Sequence, residues 1–300
     1  MEEKVEILSV SLLDRQRKHV RELKRLAASL GLEFGWHYLL DLTWILDRAG
    51  PVSGRTIMDA GAGIGIMQWY LAGHGARVLS VDRESRYSLP LRFRLRYRVR
   101  GLRAQDLKPL RKVIRRRPED HTNLARWMMV EARDLGKAGA SSILSRKKSR
   151  DGEIIIYNQD LGQLVDIPSN SVDLVIGVSS LEHNRPEDTG GVVAELMRVL
   201  KPGGALLATL GAAREEDWFH EPSQGWCYTE ASLRRIFDLP AGTPSNYADY
   251  DLLFERLRNC DELRDNLASF YSKSGDKGMP WGIWDPKYQP VGVVKVKRDA

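Results

Sequence analysis

Between residues 52 and 235, short apolar runs alternate with stretches whose apolar positions recur at helical spacing. RTIMDA (55–60), ARVLSVD (76–82), EIIIYNQD (153–160), VDLVIGVSS (172–180) and GALLATLG (204–211) are β-type, each bounded by Gly, Asp or Ser. Near-continuous apolar strands need cover on both faces, so the pattern predicts an α/β fold: a Rossmann-like, doubly wound, mostly parallel seven-stranded sheet. VAELMRVLKPGG (193–204) predicts the helix before the fifth strand, stopped by Pro202 and Gly203. PVGVVKVKR (290–298) predicts a last strand, and its alternating lysines suit an edge.

Ahead of this core, LLDRQRKHVRELKRLAASL (12–30) places Leu12, Leu13, Val20, Leu23, Leu26, Ala27 and Leu30 on one helical stripe, with Gly31 as its stop. A second helix is expected over Gly35 to Arg48, ended by Gly50-Pro51. Residues 1–50 therefore read as an N-terminal helical cap on a domain of residues 51–300. Seventy residues separate Asp82 from Glu153, far more than a turn or crossover helix needs, which predicts an inserted subdomain at about 88–152. Beyond Leu239 the pattern gives only a helix around YDLLFERLRNCDELRDNLASF (250–270).

The insertion changes how the charge is read. The chain carries +6, yet residues 90–150 hold 14 Arg and 5 Lys against 5 acids, so the rest carries −8. At its head, LRFRLRYRVR (91–100) alternates apolar residues with five arginines; on a helix the apolar positions scatter, whereas on a strand they share a face, so an extended segment is expected. Three roles are open to it: a solvated face whose apolar side packs on the domain, a platform for a phosphorylated or lipid-linked acceptor or an anionic membrane, and RNA binding. The second and third extend over Arg92 to Arg117, taking in Arg111, Lys112, Arg115 and Arg116.

Composition narrows the remaining classes. No run approaches a membrane span, and MEEKVEILSV, with two acids before any apolar stretch, is unlike a secretory signal; a cytoplasmic location, with peripheral contact to the inner membrane surface as an option, is the expectation. Cys227 and Cys260 have no metal-ligand spacing, so neither a zinc site nor a disulfide framework is expected.

The chemistry concentrates in IMDAGAGIG (57–65). Gly61, Gly63 and Gly65 allow a sharp turn off the strand end and bring backbone N–H groups close to a ligand. The dinucleotide fingerprint would need a small residue at position 66, where Ile66 stands, and Asp59 ahead of the glycines suits a cationic amino group better than a pyrophosphate. Acid followed by G-x-G-x-G resembles the first motif of the class I S-adenosylmethionine-dependent methyltransferases, in the small-molecule, type 11-like branch. IPSNSVDLVIGVSSLEH (167–183) and ELMRVLKPGGALLATL (195–210) resemble that branch's fourth- and fifth-strand segments.

The resemblance implies S-adenosyl-L-methionine as cofactor, with Asp59, Gly61, Gly63 and Gly65 in the first motif. It implies Asp82, 23 residues after Asp59, on the ribose hydroxyls, Asp160 on the adenine amino group and the Leu161 backbone on the ring. Ser179 joins the cofactor set. The acceptor is expected over the end of the fourth strand, with Glu182 and His183 in catalytic positions, His183 as base or as a loop hydrogen-bonding group. His220, Glu221 and Tyr228, in WFHEPSQGWCY, are substrate-side candidates. SSLEH stands where amino-methylating enzymes of bases carry Asp/Asn-Pro-Pro-aromatic, which argues against adenine amino methylation. The expected activity is methyl transfer to a hydroxyl, less favourably an amine or carboxylate, of a small-molecule or glycan/lipid-linked acceptor. Alternatives are an RNA methyltransferase and a non-catalytic cofactor-binding regulator.

Overall fold

The computed structural model describes residues 1–109, 152–273 and 278–298. In chain order the strands are β1 (Lys4–Ile7), β2 (Thr56–Ala60), β3 (Arg77–Asp82), β4 (Arg98–Gly101), β5 (Glu153–Asn158), β6 (Val172–Val178), β7 (Leu200–Ala212), β8 (Trp218–His220), β9 (Gly225–Tyr228) and β10 (Gln289–Val296). The helices are α1 (Ser11–Arg15), α2 (Arg17–Leu30), α3 (Tyr38–Ala49), α4 (Ile66–Gly73), α5 (Leu91–Arg96), α6 (Pro186–Val199), α7 (Glu230–Ile236), α8 (Tyr250–Arg258) and α9 (Asp261–Arg264). The fold class is α/β. Ten strands stand among the described residues where seven were expected, the four short ones being β1, β4, β8 and β9. The chain gathers into two compact units: residues 1–21, 33–51 and 161–300 in the first, residues 22–32 and 52–160 in the second.

In the first unit β6 lies parallel to β7, and β10 runs antiparallel to β7 from Gln289 opposite Ala212 to Val296 opposite Ala205. The expectation that the last strand forms an edge is corrected. Lys4–Ile7 pairs antiparallel with Val291–Val294 and covers that side. The lysines that suggested an edge lie at the strand's end instead: Lys295 reaches Glu3 at 3.5 Å, and the Lys297 ammonium donates to the Arg198 and Leu200 carbonyls at 3.0 and 2.7 Å. β9 adds parallel to β7 through Gly211 and Ala212, and β8 folds back antiparallel on β9. Helix α3 packs on β6, β7 and β10. Gly292 makes room for it, since a Cβ there would fall 2.4 Å from the buried Trp44 ring.

In the second unit β2, β3, β5 and β4 are neighbours in that order and every pairing is parallel. α4 connects β2 to β3, and its Trp69 is fully buried. The arginine-rich stretch departs from the extended expectation over its first six residues, which form α5. Four-residue spacing explains this: Phe93 stacks on Trp69 at 4.5 Å and Tyr97 meets the same ring at 5.1 Å, while Leu95 is left 54% exposed. Two arginines are used internally. Arg92 Nε donates to the Leu30 carbonyl at 2.8 Å and Arg96 to Ser29 Oγ at 2.6 Å, placing cations at the C-terminal end of α2, where Gly31 turns the chain with φ +61°. Only Arg98–Gly101 is extended, with Arg98 and Arg100 exposed. Arg111, Lys112, Arg115, Arg116 and Arg117 lie outside the described residues. No helix among the described residues is long and apolar enough to cross a membrane.

Candidate active site

In the second unit β2 feeds directly into the turn at Gly61–Gly65. Gly61 and Gly63 take φ of +75° and +46°, the left-handed region that costs a residue with a Cβ about 1 kcal/mol or more. The turn is pinned from several sides. The Gly61 and Ala62 N–H groups donate to the Val81 carbonyl at 2.9 and 3.0 Å, and the buried Gln68 amide donates to the carbonyls of Ala62, Gly63 and Gly65. Asp82, closing β3, accepts the Gly63 N–H on one carboxylate oxygen and the Glu84 N–H on the other, both at 2.8 Å. Each of those oxygens has two lone pairs, so each retains capacity for one more donor, the pair that a vicinal diol presents.

Asp59 ends β2 in a buried position. Burial pushes its carboxyl up to about 7, with the Asp82 charge adding to the effect, while Arg86 and the Gln68 backbone pull it down. Arg86 was not anticipated, and its one sequence signal is a cation four residues beyond the strand-end acid. It is buried, donates to the Ser80 and Tyr157 carbonyls at 3.0 and 2.8 Å, and is held charged against its own burial by Asp82, Asp59 and Asp106. These residues fit S-adenosylmethionine. A Cβ at Gly63 would stand 3.9 Å from the Asp82 carboxylate, so the missing side chain leaves that oxygen approachable, and a buried acid suits an ammonium group. Asp160 is exposed beyond β5 and Leu161 is half-buried.

The first unit holds a cavity of about 440 Å³. Ser179, Glu182, His183 and His220 line it, so four expected residues from two segments come together. Ser179 has φ +46°, a conformation stabilised by its N–H donating to the Thr209 carbonyl at 3.1 Å. Its hydroxyl donates to Glu182, a buried carboxyl raised above its ordinary range by burial and pulled back by His183, Ser179 and His37. His183 is exposed, and its Nδ1 meets the Gln224 carbonyl at 2.8 Å. His220 is buried and lowered by burial and by His37; its Nδ1 meets Ser223 Oγ at 2.7 Å.

Two expected residues stand elsewhere. Glu221 is exposed and accepts from the Gln224 amide at 2.9 Å. Tyr228 is fully buried and pushed up to about 12 by burial, its hydroxyl 3.4 Å from Thr189. Neither is among the lining residues.

The rest of the wall comes from segments to which no site was assigned. Trp36, His37 and Tyr38 enter from the start of α3, Tyr271 from the turn at 269–272, and Tyr288 from just before β10. His37 Nδ1 lies 2.7 Å from Asp41 Oδ2, and its Nε2 lies 3.3 Å from the Tyr288 hydroxyl. All three are buried. With Asp41 on Nδ1, Nε2 is the ring nitrogen turned towards the Tyr288 hydroxyl. The WHY triplet at 36–38, directly before a helix, was its one signal in the sequence.

Residues 130–208 match the family model described as a methyltransferase domain. The match takes in β5, β6, α6 and most of β7 and does not reach the glycine turn. Similar solved structures include a [4+2]-cyclase, SpnF, at 14% identity over 99% of both chains with a TM-score of 0.48. A second is a Burkholderia thailandensis 1,6-didemethyltoxoflavin-N1-methyltransferase with bound S-adenosylhomocysteine, at 14% identity over 96% of this chain and 81% of that one, TM-score 0.40. A third is a putative sarcosine dimethylglycine methyltransferase from Galdieria sulphuraria, at 13% identity over 96% and 86%, TM-score 0.43. No curated protein matches the sequence. Over residues 130–208, about a quarter of its length, this chain is therefore similar to a methyltransferase domain, and the strands of that segment follow the order expected from the sequence.

Proposed function

We propose that the chain methylates a small acceptor seated in the cavity of the first unit, on a hydroxyl or, less favourably, an amine or carboxylate. The observation that carries this reading is the cavity itself: about 440 Å³, walled by aromatic rings, with a buried carboxylate–imidazole pair at its side. Bound S-adenosylmethionine supplies a sulfonium methyl that is already activated, so the protein's part is to orient the acceptor, exclude water and take a proton. In this reading Asp59, Gly61, Gly63, Gly65, Asp82 and Asp160 of the second unit hold the cofactor. His37 is the better placed base. Asp41 fixes its tautomer, and Nε2 takes the acceptor's proton directly or through the Tyr288 hydroxyl that touches it. His183, which the sequence suggested, is tied to the Gln224 carbonyl and serves in this reading to orient the loop.

Two observations weigh against the alternatives that use the basic segment. Arg92 and Arg96 are engaged at the end of α2, and neither lysine nor arginine is among the described residues lining the cavity. RNA or phosphate-bearing and lipid-linked acceptors would need such cations within reach. A cytoplasmic site of action fits a small acceptor. The test is a screen of hydroxylated and amine metabolites with S-adenosylmethionine, following S-adenosylhomocysteine release. Turnover that His37→Gln abolishes supports the reading; cofactor binding without turnover across the panel supports the regulator.

A further inference from the structure

We propose that the cavity of the first unit receives an alkylammonium group of the acceptor, held among aromatic rings in the field of Glu182. The inference rests on the reading of this cavity as the acceptor's seat and adds the charge of what sits there.

Glu182 is the first reason. Its side chain is 5% exposed; Oε1 accepts the Ser179 hydroxyl, and Oε2, sealed from water, has no hydrogen-bond partner. A buried carboxylate oxygen without a partner is costly, and a cation brought into the same cavity offsets that cost. Direct contact is not needed, because a charge in a weakly polarisable interior acts over several ångströms.

The walls are the second. Trp36, His37 and Tyr288 meet edge to face, with ring centroids 4.5 to 5.7 Å apart, and His220 packs edge to face on Tyr288 at 5.1 Å. Trp226 and Tyr38 add two further rings. Aromatic faces attract an alkylammonium and give nothing comparable to an anion. Charge balance is the third. Glu33 and Glu182 line the cavity, and no Lys or Arg does so among the described residues, in a chain that carries +6 overall. An anionic acceptor would meet two carboxylates with no permanent cation beside them, the lining histidines His37, His183 and His220 being the only groups able to offset them among the described residues. A neutral alcohol would meet the rings without using the carboxylate.

The acceptor is unidentified, so the test uses tetramethylammonium chloride as probe and 3,3-dimethyl-1-butanol as a neutral compound of similar shape. Both are titrated into the full-length protein at constant ionic strength, following the fluorescence of the lining tryptophans, with sodium chloride as control. The expected result is saturable binding of the cation at least tenfold tighter than the alcohol, and a loss of tenfold or more in Glu182→Gln. Equal or tighter binding of the alcohol, or full cation affinity in a folded Glu182→Gln, overturns the proposal. Should Glu182→Gln fail to fold, Trp226→Leu replaces it: a tenfold loss is expected, and unchanged cation affinity is contradictory. Calorimetry with S-adenosylhomocysteine on the same wild-type sample separates the two readings. Cation binding without cofactor binding removes the methyltransferase reading and leaves the cation site; the reverse removes the cation site alone.

Discussion

The glycine turn of the second unit and the cavity of the first are sites of different construction. The turn is made by the backbone: left-handed glycines, carbonyls captured by Gln68, and N–H groups donated to Asp82. Its chemistry is electrostatic, and the glycines, Asp59, Gln68, Asp82 and Arg86 all lie within the 28 residues Asp59–Arg86. The cavity is made mostly by side chains, drawn from residues 33, 35–38, 179, 182–183, 211, 220, 222–223, 225–227, 270–271, 278 and 288. A backbone site repeats wherever the same ligand must be held, because its geometry leaves few residue choices. A side-chain cavity is free to change with the acceptor, and the proposed function accordingly gives cofactor recognition to one region and acceptor choice to the other.

The sharpest way to break this division is a pair of substitutions with opposite effects. His37→Gln lowers the methylation rate by about 10² to 10⁴ fold, the usual worth of a positioned base, while leaving S-adenosylhomocysteine affinity in place. His183→Gln changes the rate by less than about tenfold if it only orients the loop. Steady-state kinetics beside calorimetry checks both, and a full-rate His37→Gln removes it as the base. Asp82→Ala does the reverse: it weakens cofactor binding by about 1.5 to 3 kcal/mol, the scale for losing a charged hydrogen-bonding partner.

A smaller effect sharpens the contrast within the first unit's scaffold. Gly292→Ala forces a methyl against the Trp44 ring and lowers stability by about 1 to 3 kcal/mol, read as a shift in denaturation midpoint. Unchanged stability would mean that α3 can slide, and the position of His37 with it.

The pH response of the turn separates its acid from the rest. The Asp59 carboxyl is raised to about 7 in the folded chain, so any contribution from its protonated form is fully present below its ordinary value near 3.8 and lost as pH rises through about 7. The ligand's ammonium favours the ionised carboxylate, so S-adenosylhomocysteine affinity should rise across that same interval. Asp59→Asn should flatten the rise, and a wild-type affinity independent of pH between 6 and 8 would take Asp59 out of the site. The smallest effect expected is on Arg92→Gln, which removes one cation from the end of α2 and costs about 0.3 to 1 kcal/mol.

Legibility in the sequence followed the same division. Five strands, the glycine turn and the acids Asp59 and Asp82 were readable because each is a local pattern with a local cause. The helix at Leu91–Arg96 was misread, since strict alternation looks extended until Trp69, more than twenty residues away, is known to collect Phe93 and Tyr97. β10 was taken for an edge because the four residues of β1 that cover it are too few to show a period. Tyr288 was invisible as a partner of His37, being joined to it only by packing across 251 residues of chain, and Asp41, one helical turn on, had no pattern to mark it as a partner. Ser179, Glu182 and His183 line the cavity because they follow a recognisable strand end, while Tyr228, two residues beyond Trp226, turned inward to Thr189.

The most direct test of the central claim is calorimetric titration of the full chain with S-adenosylhomocysteine, wild type beside Asp82→Ala. Micromolar binding with one equivalent per chain, weakened at least tenfold in the variant, is the predicted result. A folded wild-type protein that binds no S-adenosylhomocysteine, or a variant that binds it equally well, would contradict the assignment of the glycine turn and Asp82 as the cofactor site.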